Sequence, residues 1–192
     1  RQLLLSRIQD KYGYDGWIFP IHSDEIYHGE IRHLLEANNE GANVLNCVIA
    51  HFVLHPSEKE SIEGENKDLS VQERRKWYFL GQSEICGFKN QRGLYYNFFE
   101  HMRVLPHGFY PVKTFSRVII RKHYNMRYPE QIEKRIKDRL ATGWQPAYAS
   151  IKNNYWITDP HQLITAGAVY TDIIKYEGSF SIPDEWRGRV VE

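Results

Sequence analysis

Cysteine is scarce: Cys47 and Cys86 are the two in 192 residues. They stand too far apart for a CxxC metal or redox motif, and two cysteines make no disulfide framework. A reducing, cytoplasmic setting is the expectation. Cys47 lies in an apolar run and reads as a buried thiol. A surplus of one charge is also lacking. Lys plus Arg is 25 and Asp plus Glu is 24, a formal net charge of +1. Polyanion binders carry a clear basic excess, so no nucleic-acid partner is expected. No apolar run is long enough to span a bilayer, and Leu3-Leu4-Leu5 is too short a core for a signal peptide. The expectation is a cytoplasmic protein without a transmembrane segment, with at most a peripheral attachment to a membrane. With 13 Gly, 8 Pro and 26% charged residues, collagen, coiled coil and wholesale disorder are excluded. GxSxG, Walker, GxGxxG and HExxH motifs are missing from the chain. The abundant class is aromatic, at 14%. Trp77, Tyr78, Tyr95 and Tyr96 suit either a core or a platform for sugar faces.

The length suits a single domain over 1–192, with 143–192 a less regular extension. Residues 1–12 read as a helix with Leu4, Ile8 and Tyr12 on one face. Trp17–Ile21 reads as a short buried strand, and 30–40 as a helix with Ile31, Leu34 and Leu35 inward. Asn43–Leu54 is apolar almost throughout, as in a strand covered on both faces. Residues 55–72 read as an exposed loop. Strands follow at Trp77–Leu80, Leu94–Phe99 and Phe115–Arg121. Pro129 opens a helix to 142, with Ile132, Ile136 and Leu140 spaced by four and Gly143 as its stop. Asp159-Pro160 caps a helix to about 166, and the tail from 176 is irregular. The class is α/β with a mixed sheet flanked by helices.

Two segments carry chemistry. His22-Ser23-Asp24-Glu25 follows a buried strand, where open α/β sheets bind ligands. Residues 22 and 24 alternate on an extended backbone, so a His nitrogen and a carboxylate face one side and suit Mn2+ or Mg2+. The plainer reading is a polar loop with Asp24 as a helix cap. The second segment is Lys122-His123-Tyr124-Asn125-Met126-Arg127-Tyr128-Pro129-Glu130-Gln131. There a strand delivers His123, and Arg127 precedes a helix N-terminus, a natural anion site. The plainer reading there is a capped helix with a surface histidine.

These segments, in this order, resemble one family. Trp17-Ile18-Phe19-Pro20-Ile21-His22-Ser23-Asp24-Glu25-Ile26 resembles the "DxDE" metal segment of family 2 glycosyltransferases with the GT-A fold. His123-Tyr124-Asn125-Met126-Arg127-Tyr128-Pro129-Glu130-Gln131 resembles the late "HYxxRSPEQ" segment of a bacterial subgroup. The likeness covers about residues 1–142, with His22 in place of the first aspartate and Tyr128 in place of the serine. It implies the C-terminal part of a GT-A-like fold, without the N-terminal nucleotide-binding half. It implies transfer of a sugar from a nucleotide-sugar donor to a saccharide or glycoconjugate, assisted by Mn2+ or Mg2+. Asp24 is then the metal ligand, with His22 and His123 as further ligands. His123 and Arg127 serve the diphosphate, and Glu25 or Glu84 is the general base. A rival reading keeps the fold as a non-catalytic glycan- or protein-binding domain. A metal-dependent phosphodiester hydrolase using His22, Asp24 and His123 is a third.

Overall fold

A computed structural model describes residues 1–37, 41–63, 68–97, 105–141, 155–163 and 168–191. Its spine is β3 (Val44–Val53), the apolar run, buried on both faces. To one side β3 pairs antiparallel with β4 (Trp77–Lys89), and to the other it runs parallel to β5 (Thr114–His123). The short β1 (Trp17–Ile18) closes the β4 side and β2 (Glu25–His28) the β5 side, both antiparallel. The order is β1-β4-β3-β5-β2, a mixed sheet. The tail adds two short strands, β6 (Ile174–Lys175) on β4 and β7 (Val190–Val191) on β5.

Both faces of β3 are used. Val48, Ala50 and Phe52 pack with Tyr78, Leu80, Ile120, Tyr124 and the tail residue Phe180. Phe52 and Tyr124 stack at 4.5 Å. On the other face Leu45, Cys47 and Ile49 pack with Ile119 and with Leu34 of α2 (Ile31–Glu36). Around Val53, Leu54 and Phe79 the cover is α5 (Pro129–Ala141), through Ile132 and Ile136. Leu140, the third residue of that spacing, is exposed. Both cysteines are free and buried, and burial pushes the Cys86 thiol up.

Several sequence expectations give way. In α1 (Gln2–Tyr12) the buried residue is Leu5, which packs on Phe88 and Leu94, while Leu4 and Tyr12 are exposed. Trp17–Ile21 pairs only at its first two residues. Residues 55–72 hold short helical turns at Pro56–Glu58, at α3 (Lys59–Glu63) and at α4 (Val71–Arg74), each of the first and last with a capping box. The strand expected at Leu94–Phe99 is reduced to one bridge, Tyr95 to His107, with 98 and 99 outside the described residues. The ends of the helices expected at 30–40, 129–142 and 159–166 also lie outside them. Asp159 does cap a turn, of 3-10 type, at Pro160–Gln162.

Gly108 shows where a glycine is needed. Its φ is +98°, and a Cβ there would overlap the Gly93 carbonyl, which is backbone and cannot rotate away. Gly108→Ala should therefore cost about 2 kcal/mol or more, from the left-handed backbone plus the overlap. The urea midpoint checks this; an unchanged midpoint would contradict the packing of this loop against residues 91–95.

Candidate functional site

The two chemistry-bearing segments meet. β2 pairs with the end of β5, which sets Glu25 opposite His123, and the Tyr124 N–H donates to the Asp24 carbonyl at 2.8 Å. Asp24 is half-buried. His123 Nε2 lies 3.7 Å from its Oδ2, an ion-pair separation, and Arg135 Nη2 of α5 lies 3.4 Å from the same oxygen. His123, through its proton and its charge, and Arg135 outweigh burial and hold the Asp24 carboxyl well below the usual carboxylate range. Arg135 is itself fixed by a 2.9 Å bond to the Asn125 carbonyl.

Arg127 is held from several sides. Its Nη2 donates to the Ser23 carbonyl at 3.2 Å, its N–H donates to Gln131 Oε1 at 3.1 Å, and the buried Arg75 donates to its carbonyl. It borders an open groove of about 710 Å3 lined by Ser23, Ser70, Arg74, Arg127, Tyr128 and Glu130. That volume lies within the range of small-molecule sites.

The other expected residues fall differently. His22 does not end a buried strand. It sits in an exposed turn, donates its N–H to Glu25 Oε2 at 3.0 Å, and borders a separate apolar groove of about 390 Å3 with Phe19, Ile21 and Leu4. Among the described residues no hydrogen bond or ion pair joins the His22 ring to Asp24 or His123. Glu25 is buried and lies 3.5 Å from Arg121, so its carboxylate is turned away from any solvent-borne hydroxyl. Glu84 also pairs with Arg121, but its side chain is 39% exposed. Of the platform candidates, Tyr78 is core. Trp77 stacks on His55 at 3.9 Å, Tyr95 stacks on His107 at 5.1 Å and is half exposed, and Tyr96 is half-buried.

Two site residues escaped the sequence reading. Arg121 follows the apolar Val118-Ile119-Ile120 of β5 and reaches across β3 to Glu84 on β4 while lying beside Glu25 on β2. His51 is the register partner of His123 on the parallel strand β3; it stacks on Phe79 at 4.9 Å, with its ring 5.4 Å from that of His123. The two histidines close the carboxyl ends of β3 and β5, so the rule that ligands sit there applies to these strands rather than to β1.

Burial, then the charges of His123 and Arg121, push His51 well below its ordinary 6.5. Below pH 6.5 the unfolded chain takes up this proton and the folded chain does not, so stability falls as pH drops. The slope reaches about 1.4 kcal/mol per pH unit. Asp24 adds its own loss only below its ordinary 3.8, so the two windows separate. Unfolding midpoints between pH 7 and 4.5 should show the slope in the native chain and a flatter one in His51→Gln. Equal slopes would contradict the assignment.

Among the described residues no group of three or more His, Cys, Asp and Glu side chains is placed to hold a metal ion. Asp24 and His123 are the donors of the expected set that converge. One carboxylate and one imidazole are at most part of a shell for a divalent ion, and Asp24 Oδ2 is already shared by His123 and Arg135. No helix among the described residues is long and apolar enough to cross a membrane. No family model, curated protein or solved structure matches the chain.

Proposed function

We propose that this chain carries the metal- and diphosphate-binding segments of a GT-A-like, metal-dependent glycosyltransferase that moves a sugar from a nucleotide-sugar donor to a saccharide or glycoconjugate. One observation carries the reading: two segments that resemble successive family motifs, about a hundred residues apart in sequence, converge on Asp24. Support also comes from the groove beside Arg127, which sets two arginines and two serines around a space large enough for a phosphorylated ligand.

On this reading Asp24 and His123 would hold one Mn2+ or Mg2+, which when bound would supply Lewis-acid stabilisation of the leaving diphosphate. Arg127, whose backbone is held by Gln131 and Arg75 and whose Nη2 donates to the Ser23 carbonyl, would turn its guanidinium to the same diphosphate. Glu84 is the carboxylate available to accept the acceptor hydroxyl proton, because Glu25 is enclosed with Arg121 and the His22 N–H. His22 serves the shape of the turn.

The test is a panel of nucleotide sugars with Mn2+ and simple saccharide acceptors, using the natural polypeptide that carries this sequence over its whole length. One donor should release its nucleoside diphosphate, chelation should stop the release, and Mn2+ should restore it. Turnover of none, with a glycan alone raising the unfolding midpoint, would favour the rival binding domain. That rival has one observation behind it: Asp24 is already neutralised by His123 and Arg135, as in a purely structural ion pair.

A further inference from the structure

One exposed turn separates two grooves of opposite character. On its His22 side lies the apolar groove of about 390 Å3. Leu5 and Phe88 line it from the core, at 3% and 1% exposed, while Leu4 and Ile21 are 63% and 54% exposed. Ile8 and Phe19 complete the apolar lining, and among the described residues no carboxylate joins it. Exposed apolar side chains gathered around a recess, over a floor of core residues, mark a binding site. On the Ser23 side lies the groove of about 710 Å3, where Arg74 and Arg127 stand against one carboxylate, Glu130. Among the described residues no carboxylate pairs with Arg127, and its Nε is enclosed without a hydrogen-bond partner. Paired guanidinium groups suit a phosphate. His22 and Ser23 are consecutive and exposed, so their Cα atoms are about 3.8 Å apart where the grooves meet. An apolar peptide or a second copy of this chain would fill the apolar groove and leave the arginines without a counter-charge. A free phosphate would do the reverse. An amphiphile satisfies both.

We propose that the two grooves together take one ligand, the acceptor, and that it is a saccharide joined through a phosphate to a hydrocarbon chain. The hydrocarbon lies over Leu5 and Phe88 between Leu4 and Ile21. The phosphate crosses the turn at His22-Ser23 and enters the arginine groove, whose larger volume leaves room for the diphosphate of the donor beside it. The saccharide follows toward Asp24, the next residue of the same turn. Removing exposed apolar surface from water supplies the affinity, and the charge supplies the orientation. A nucleoside diphosphate has no chain for the apolar groove, so it still depends on the metal. The word acceptor rests on the proposed function; the binding of a lipid phosphate does not, and its test needs neither metal nor donor.

That test is titration calorimetry of the natural polypeptide with linear alkyl phosphates of increasing length, kept below micelle-forming concentration, beside alkanols of equal length. Each added methylene should tighten binding about two- to fourfold until the groove is full, and further ones should add nothing. The phosphate should bind about tenfold better than its alkanol. Leu4→Ser combined with Ile21→Ser alters two exposed side chains; it should flatten the dependence on length and keep the preference for phosphate. Arg74→Gln combined with Arg127→Gln should do the opposite. A dependence on length unchanged in the Leu4 and Ile21 variant overturns the proposal, as does the absence of binding by every alkyl phosphate. Affinity that climbs with length without a plateau, matched by binding to anionic phospholipid vesicles, also overturns it and makes the partner a bilayer surface. If the double variants do not fold, the plateau and the phosphate preference of the native chain decide. Alkyl phosphate bound by a protein that Mn2+ and nucleotides leave unaffected would keep this lipid-phosphate site and remove the transferase. Transfer to a soluble saccharide by a protein that binds no alkyl phosphate would remove the inference and keep the proposed function.

Discussion

Arg121→Met is expected to destabilise the protein by about 3–5 kcal/mol, the usual cost of removing one partner of a buried ion pair. Arg121 and Glu25 are 6% and 5% exposed, and the guanidinium also holds Glu84 from across β3. Without it, Glu25 is a buried charge compensated, among the described residues, by the His22 N–H alone. At about 2–4 °C per kcal/mol for a chain of this size, the midpoint should fall by about 6–20 °C. Adding Glu25→Gln should return part of the loss, because the carboxylate no longer has to be buried as a charge. A single variant as stable as the native chain would mean that Arg121 is not the tie between β2 and β4.

Asp24→Asn should behave in the opposite way. Arg135 and His123 are 32% and 21% exposed, so both regain water when the charge is removed, while Asp24, 13% exposed and held below its ordinary range, loses a partly buried pairing that contributes about 1–2 kcal/mol. The midpoint without ligand should therefore fall by about 2–8 °C, well short of the fall in Arg121→Met. Transfer activity should fall at least about a hundredfold, because a bound cation supplies several kcal/mol of charge stabilisation in the transition state and each 1.36 kcal/mol is a factor of ten. The two variants separate a fold residue from a site residue three to four ångströms from its neighbours. Both properties collapsing together in Asp24→Asn would make Asp24 a structural anchor.

Much of the frame was legible because burial leaves a local pattern. β3 is apolar at nearly every position since both faces are covered, and α5 announces itself through Pro129 and the spacing of Ile132 and Ile136. β4 was visible only to Leu80. Beyond it Gly81-Gln82-Ser83-Glu84 has the composition of a turn, and Gln82 adopts a φ of 54° where the register with β3 shifts nearby, yet pairing continues to Lys89. The face of α1 was misread because Leu3, Leu4 and Leu5 are equally apolar, and only the position of Phe88 selects Leu5. At the candidate site, Asp24, His123 and Arg127 drew notice because each stands in a polar segment, and the structure brings those two segments together. Arg121 and His51 did not. Arg121 is one of several polar residues of β5 and His51 lies in the largely apolar β3, and what gives each a role is the pairing of β3 with β5, a relation between residues 70 or more apart.

The central claim is that Asp24 belongs to a metal-dependent donor site. Thermal unfolding of the natural polypeptide, with Mn2+ and a panel of nucleoside diphosphates, tests it most directly beside Asp24→Asn. A ligand at a hundred times its dissociation constant adds about 2.7 kcal/mol, so one nucleotide should raise the midpoint by about 5–10 °C, only with Mn2+ and only with Asp24 intact. A folded protein whose midpoint is unmoved by every nucleotide, or moved equally in the variant, would contradict the account.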